Sequence, residues 1–202
     1  MGIILEGNFI NMISLGSNSL EKNQKEQEYI DYIETHRENV RKAYDKYFAP
    51  LLNTEVNLNS CSNEEFQIAL KDSINNIDIH DESKYSDIEF EPYRLKWYPT
   101  DDEKLAIREP DIAIQLYEDY DAATYHHVKN NPHHTAFWVQ EDGSIKDMDL
   151  KYIIEMLCDW LSFGNDIRDW YKNKAEKERN EMSTRTKEIV EELMDLIYTK
   201  QN

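Results

Sequence analysis

From Gln24 to Tyr47 the residues Ile33, His36, Val40, Tyr44 and Tyr47 recur at steps of three and four. That period predicts an amphipathic helix and sets a histidine on the stripe facing the core. Beyond the loop "APLLNTEVNLNSCS", Ser62 and Glu65 have the spacing of a capping box, and the stripe Phe66, Leu70, Ile74, Ile77 predicts a second helix continuing to His80 and Asp81. Ser86 and Glu89 repeat the capping spacing and predict a short helix over 87–97. Pro110 suits the first turn of a fourth helix, in which Ala113, Leu116, Tyr120, Thr124 and His127 keep register until "NNP" stops it. "DLKYIIEMLCDWLSFGNDIRDW", residues 149–170, is apolar around most of its circumference and predicts a central buried helix carrying Asp159. Ser183 caps a last helix with Ile189, Val190, Leu193 and Ile197 inward. Residues 1–24 form an N-terminal extension, leaving 25–202 as the helical domain.

Composition narrows the class. Only 5 Gly and 5 Pro in 202 residues leave too few tight turns for a β architecture, so the chain is expected to be all-α, a single-domain helical bundle. With 40% apolar residues, 13 Tyr and 4 Trp it has enough apolar surface to fold. The formal net charge of −18 argues against a nucleic-acid polymer as partner, because phosphate contacts need clustered Lys and Arg. Cys61 and Cys158 make no disulfide framework. The apolar start is interrupted by Glu6, Asn8 and Asn11 and has no basic leader, so a soluble cytoplasmic protein is expected.

The chain has six histidines, His36, His80, His126, His127, His133 and His134, all in the segments just described. Each has a bland reading: His36 as a hydrogen-bonded core residue, His80-Asp81 as a helix end and turn, "HHVKNNPHH" as a solvated helix end, Asp159 as part of a polar strip with Lys151, Glu155 and Ser162. Against these stands metal binding, since neutral imidazole and carboxylate together suit transition ions, and ligands from separate helices can converge in a bundle.

The order His36, His80-Asp81, Asp159 resembles the H…HD…D signature of the HD-domain superfamily of metal-dependent phosphohydrolases. "HDESK" is similar to the HD-x-x-K form of members with two metals, in which extra histidines hold the second ion; His127 with His133 or His134 match that role, although "NNPHH" departs from the spacing of the well-studied two-metal enzymes. The wider pattern is similar to an uncharacterised bacterial and phage family.

The resemblance implies a fold of the HD type, one or two divalent transition ions (Mn, Fe, Co or Zn), and hydrolysis of a phosphate ester. Asp81 would bridge two ions, Lys84 would neutralise charge on the phosphoryl oxygens, and Asn131 is a further candidate for substrate contact. The acidic surface favours a small anionic substrate, a nucleotide or cyclic nucleotide, over a polymer or a membrane. Two other readings remain open: an HD-type di-iron oxygenase with the same ligands, and a non-catalytic metal-containing protein that binds a nucleotide.

Overall fold

The computed structural model describes residues 19–164 and 166–199. They are helical, with one isolated bridge between Val139 and Ile145 and no strand among the described residues. The helices are α1 (Ser19–Tyr47), α2 (Asn63–Asp78), α3 (Phe90–Trp97), α4 (Asp101–Ala106), α5 (Pro110–Asn130), α6 (Leu150–Ser162), α7 (Ile167–Asn173), α8 (Glu176–Asn180) and α9 (Thr184–Thr199). None is long and apolar enough to cross a membrane. Contacts divide the chain into two compact units: residues up to Glu34 with Glu82–Asn130, and Thr35–Asp81 with Asn131 onward.

In the second unit α2 packs on α6, and α6 on α9. Phe66, Leu70 and Ile77 of α2 meet Ile153, Ile154 and Leu157 of α6 and Val190 and Leu193 of α9 in one buried cluster. Each such side chain removed from water contributes roughly 1.5 to 3 kcal/mol, and α6 is apolar nearly all round because it has neighbours on several sides. The expected capping box of α2 is present, with the Ser62 side chain accepting from the Glu65 amide and Glu65 returning to the Ser62 amide. Ser183 likewise accepts from the Thr186 amide at the start of α9. The helix expected over 149–170 stops at Ser162 instead. Gly164 takes φ 71°, the left-handed conformation that ends helices cheaply only at glycine, and Asp166 then caps α7 by accepting from the Arg168 and Asp169 amides.

In the first unit α3 packs on α5 around Tyr29, Ile33, Tyr93 and Ala123. Helix α1 begins at Ser19, inside the stretch read as an extension, while residues 1–18 of that extension lie outside the described residues. Its polar first turns are held by tertiary partners: Lys22 pairs with Glu91 at 3.2 Å, and the Asp101 amide donates to Glu21 at 2.9 Å. The capping box expected from Ser86 and Glu89 does not form, because the Glu89 carboxylate is bound to His126 and His127, and α3 starts at Phe90 with no side-chain cap. A capping box that the sequence reading did not identify, Thr100 with Glu103, opens α4.

Glu103 also accepts from Arg94 at 2.7 and 2.9 Å, and both side chains are wholly buried. Burial pushes the Glu103 carboxyl up, but the Arg94 guanidinium and Thr100 more than offset it and hold it below its ordinary value. Arg94→Met would leave that carboxylate buried without its cation, and urea denaturation is expected to show a loss of about 3 to 5 kcal/mol, most of it recovered in Arg94→Met/Glu103→Leu. Because the folded pKa lies below the ordinary 4.5, the pair's stabilisation is complete above that pH and is lost as pH falls through the folded value. The wild type should therefore lose this increment on acidification and the double variant should not.

Candidate metal centre

The second unit gathers His36 from α1, His80 and Asp81 from the turn after α2, His133 and His134 from the turn after α5, and Glu155, Asp159 and Ser162 from α6. Helix α2 ends at Asp78, two residues before the pair expected at its inner end. Neighbouring residues on a helix diverge, so a regular helix would aim only one of His80 and Asp81 inward. Asp81 instead takes φ 57°, a left-handed conformation that Asp tolerates better than most residues, and both side chains are buried, at 1% and 3% exposure. Asn131-Pro132-His133-His134 forms a turn closed by the His134 amide on the Asn131 carbonyl at 3.0 Å, with Pro132 in the position that proline presets. It buries His133 at 2% exposure.

Three imidazoles are oriented alike. Nδ1 of His80 lies 2.9 Å from Glu155, Nδ1 of His133 lies 3.0 Å from the same carboxylate oxygen, and Nδ1 of His36 lies 3.3 Å from the Ser162 hydroxyl. Each Nε2 then meets a carboxylate: His36 is 3.1 Å from Asp159 and 3.7 Å from Asp81 Oδ2, His80 is 3.6 Å from Asp81 Oδ2 and 3.8 Å from Asp159, and His133 is 3.6 Å from Asp81 Oδ1. For His80, the Glu155 carboxylate on Nδ1 places the proton there and presents the Nε2 lone pair, which is how metal-ligating histidines are held.

His36 and His80 bring their Nε2 atoms within 3.3 Å of each other. Asp159 stands 3.1 Å from the His36 Nε2 and Asp81 3.6 Å from the His80 Nε2, so two carboxylates surround the pair, an arrangement that calls for a cation or a proton between them. The pKa directions agree. Burial works against a charged His80, yet Asp81, Glu155 and Asp159 raise its pKa above the ordinary value. Burial likewise pushes Asp159 and Glu155 up, and the neighbouring histidines more than offset it, holding both carboxyls at about 2. One donor atom each from His36, His80 and Asp159 lie within 4.8 Å of one another, and the same holds for Asp81, His133 and His134. These buried groups could hold a metal ion. His80, His133 and Glu155 also cluster, but Glu155 meets both rings on Nδ1, which makes it the residue that orients them.

A family model described as a family of unknown function, DUF5662, matches residues 25–196. The chain belongs to DUF5662. No curated protein and no solved structure matches it.

Of the residues expected as ligands in this DUF5662 chain, His36, His80, Asp81, His133 and Asp159 meet within the second unit, with His134 beside His133, the rings tilted by 41° and their centroids 4.3 Å apart. Asn131 is buried in the same unit. His127 and Lys84 belong to the first unit. There Glu89 accepts from His126 at 2.7 Å and from His127 at 2.8 Å, and Lys84 lies in the short 3-10 segment Glu82–Tyr85. Cys61 and Cys158 are buried free thiols, and burial pushes both up.

Glu155 was missed by the sequence reading, which placed it with Lys151 and Ser162 on a polar strip that could be solvent-exposed. The strip is real, but it lines the histidine cluster, and Glu155 is only 4% exposed. Polar residues at 155, 159 and 162 of an otherwise apolar helix carried that signal.

Glu155→Gln can meet the two Nδ1 atoms but cannot hold both with charge. Metal affinity, measured by titration and elemental analysis, is expected to fall about 10- to 100-fold, with the helical circular dichroism retained.

Proposed function

We propose that the chain is a metal-dependent phosphohydrolase or phosphodiesterase of the HD-domain type acting on a small nucleotide or cyclic nucleotide. The observation that carries this reading is the clustering of the His36, His80 and Asp159 donors, in the sequence order H…HD…D, with Asp81 beside them. A set mixing buried imidazoles and carboxylates fits Mn²⁺, Fe²⁺, Co²⁺ or Zn²⁺ better than Mg²⁺ or Ca²⁺, which prefer all-oxygen sites. His36, His80, Asp81 and Asp159 would hold one ion; Asp81, His133 and His134 would contribute to a second.

Bound there, a divalent ion supplies Lewis acidity toward a phosphate oxygen and lowers the pKa of water. The chain's own contribution is orientation. Asp81 turns Oδ2 to His36 and His80 and Oδ1 to His133, so one carboxylate serves both donor groups. Glu155 accepts a hydrogen bond from Nδ1 of His80 and lies 3.0 Å from Nδ1 of His133. Lys84, three residues after Asp81 in the sequence, is the proposed cation for the phosphoryl oxygens, and Asn131 a proposed amide contact.

The test is a panel of mononucleotides and small cyclic nucleotides with protein rebuilt in Mn²⁺ under anaerobic conditions, where phosphate release or opening of a cyclic diester is expected. Asp81→Asn should lower bound metal and abolish turnover. Lys84→Ala should keep the metal and slow turnover by the equivalent of roughly 2 to 4 kcal/mol in the transition state. A Mn²⁺ form inert on the whole panel, beside an iron form that consumes O₂ with a small organic substrate, would replace the hydrolase reading with the di-iron oxygenase one.

A further inference from the structure

The first unit contains a cavity of about 520 Å³, well within the range of small-molecule sites. Its lining is unusual for this chain. Acidic residues outnumber Lys and Arg by 41 to 23 overall, yet none lines the cavity, where the two basic side chains are Lys84 and His127 and the rest of the lining is five tyrosines and a tryptophan. The rings fall into two groups. Tyr98 stands 5.7 Å from Tyr29 and 6.2 Å from Tyr32 between ring centroids; Tyr120 stands 5.5 Å from Tyr93 and 6.5 Å from Trp97. Tyr29 and Tyr93 are buried, whereas Tyr32 and Trp97 remain 43% and 62% exposed.

These features select a ligand. Exposed aromatic faces beside buried ones offer stacking to a flat ring, and every aromatic heterocycle has a π-face to use. An aromatic cage alone would also suit an organic cation, but an ammonium of the protein's own on the lining disfavours one and offers a counter-charge to an anion. A sugar or a proline-rich peptide can also pack against aromatic faces, but neither brings the anion that a lysine on the lining favours.

We infer that this cavity binds a planar aromatic ring carrying an anionic substituent, the ring against the Tyr and Trp faces and the anion at Lys84. A nucleotide is one member of that class. The inference goes beyond the hydrolase reading and needs no metal, so the two can fail separately.

The experiment is isothermal titration calorimetry on the full-length Asp81→Asn chain with a chelator present, Asn being tolerant of the left-handed backbone at that position. The probes are 1-naphthyl phosphate and adenosine monophosphate (ring with anion), ribose 5-phosphate (anion without ring) and benzyltrimethylammonium (ring with cation). Saturable binding of at least one of the first two is expected, at least about fivefold tighter than either of the others. Trp97→Ala, whose side chain is largely exposed and whose loss the fold should tolerate, is expected to weaken that binding by about fivefold or more. Lys84→Met should remove the preference for the anion while leaving ring binding. Failure of both ring-bearing anions to bind overturns the inference, as does equal or tighter binding of ribose 5-phosphate or of the cation. Unchanged binding in both Trp97→Ala and Lys84→Met overturns the assignment to this cavity.

Discussion

A single buried carboxylate, that of Glu155, determines what the polar interior of the second unit can do. It accepts a hydrogen bond from Nδ1 of His80, which fixes that tautomer, and lies at ion-pair distance from Nδ1 of His133, so both rings are set beside Asp81. Ser162, two turns along the same face of α6, meets Nδ1 of His36 with a hydroxyl that can donate or accept, so it orients that ring without fixing its tautomer. The chemistry of the centre thus rests on residues that do not themselves need to touch an ion. This polar face is tolerable on an otherwise apolar helix only because each of its groups has a partner, since a buried charge without one costs several kcal/mol.

The first unit meets the same physical problem with a different solution. Arg94, whose guanidinium stays protonated, is bound by Glu91 and Glu103 at distances of 2.7 to 2.9 Å. That network is closed: the cation is permanent and the acceptors are used. In the second unit Glu155 and Asp159 are met by imidazoles, whose charge depends on a proton. A carboxylate matched by a titratable ring can exchange that proton for a metal ion, whereas a carboxylate matched by arginine cannot. The contrast separates a structural ion network from a centre able to bind.

What the sequence made legible follows from period and spacing. Strong stripes such as Phe66–Leu70–Ile77, and the paired cap of Ser62 and Glu65, gave helices close to those found. Errors gathered where a side chain had two possible uses. Glu89 has the right spacing to cap, but it forms stronger charge-assisted contacts with His126 and His127, and no local rule weighs a partner 37 residues away. Thr100 and Glu103 have the local spacing of a capping box, so that helix start was legible, whereas the second use of Glu103, on Arg94, has no spacing rule to announce it. Gly164 ended a helix that apolar character alone would have continued to Trp170. The histidine cluster was legible because imidazoles are few and their order was informative. The residue that orients them was not, because a polar strip on a helix reads the same whether it faces water or a buried centre.

The net charge of −18 appears at first to oppose any anionic ligand, yet charges separated by more than about 8 Å are largely screened at physiological ionic strength. A small ligand therefore responds to the groups lining its site more than to the total. Measured that way, the two units differ from the chain average in opposite senses. The histidine cluster concentrates carboxylates and calls for a cation, while the aromatic cavity has no carboxylate on its lining and carries Lys84, its His127 being paired with Glu89. Acidic side chains spread over the rest of the surface repel polyanions without affecting either local preference. The two local preferences are therefore set by the groups within each site and not by the total charge of the chain.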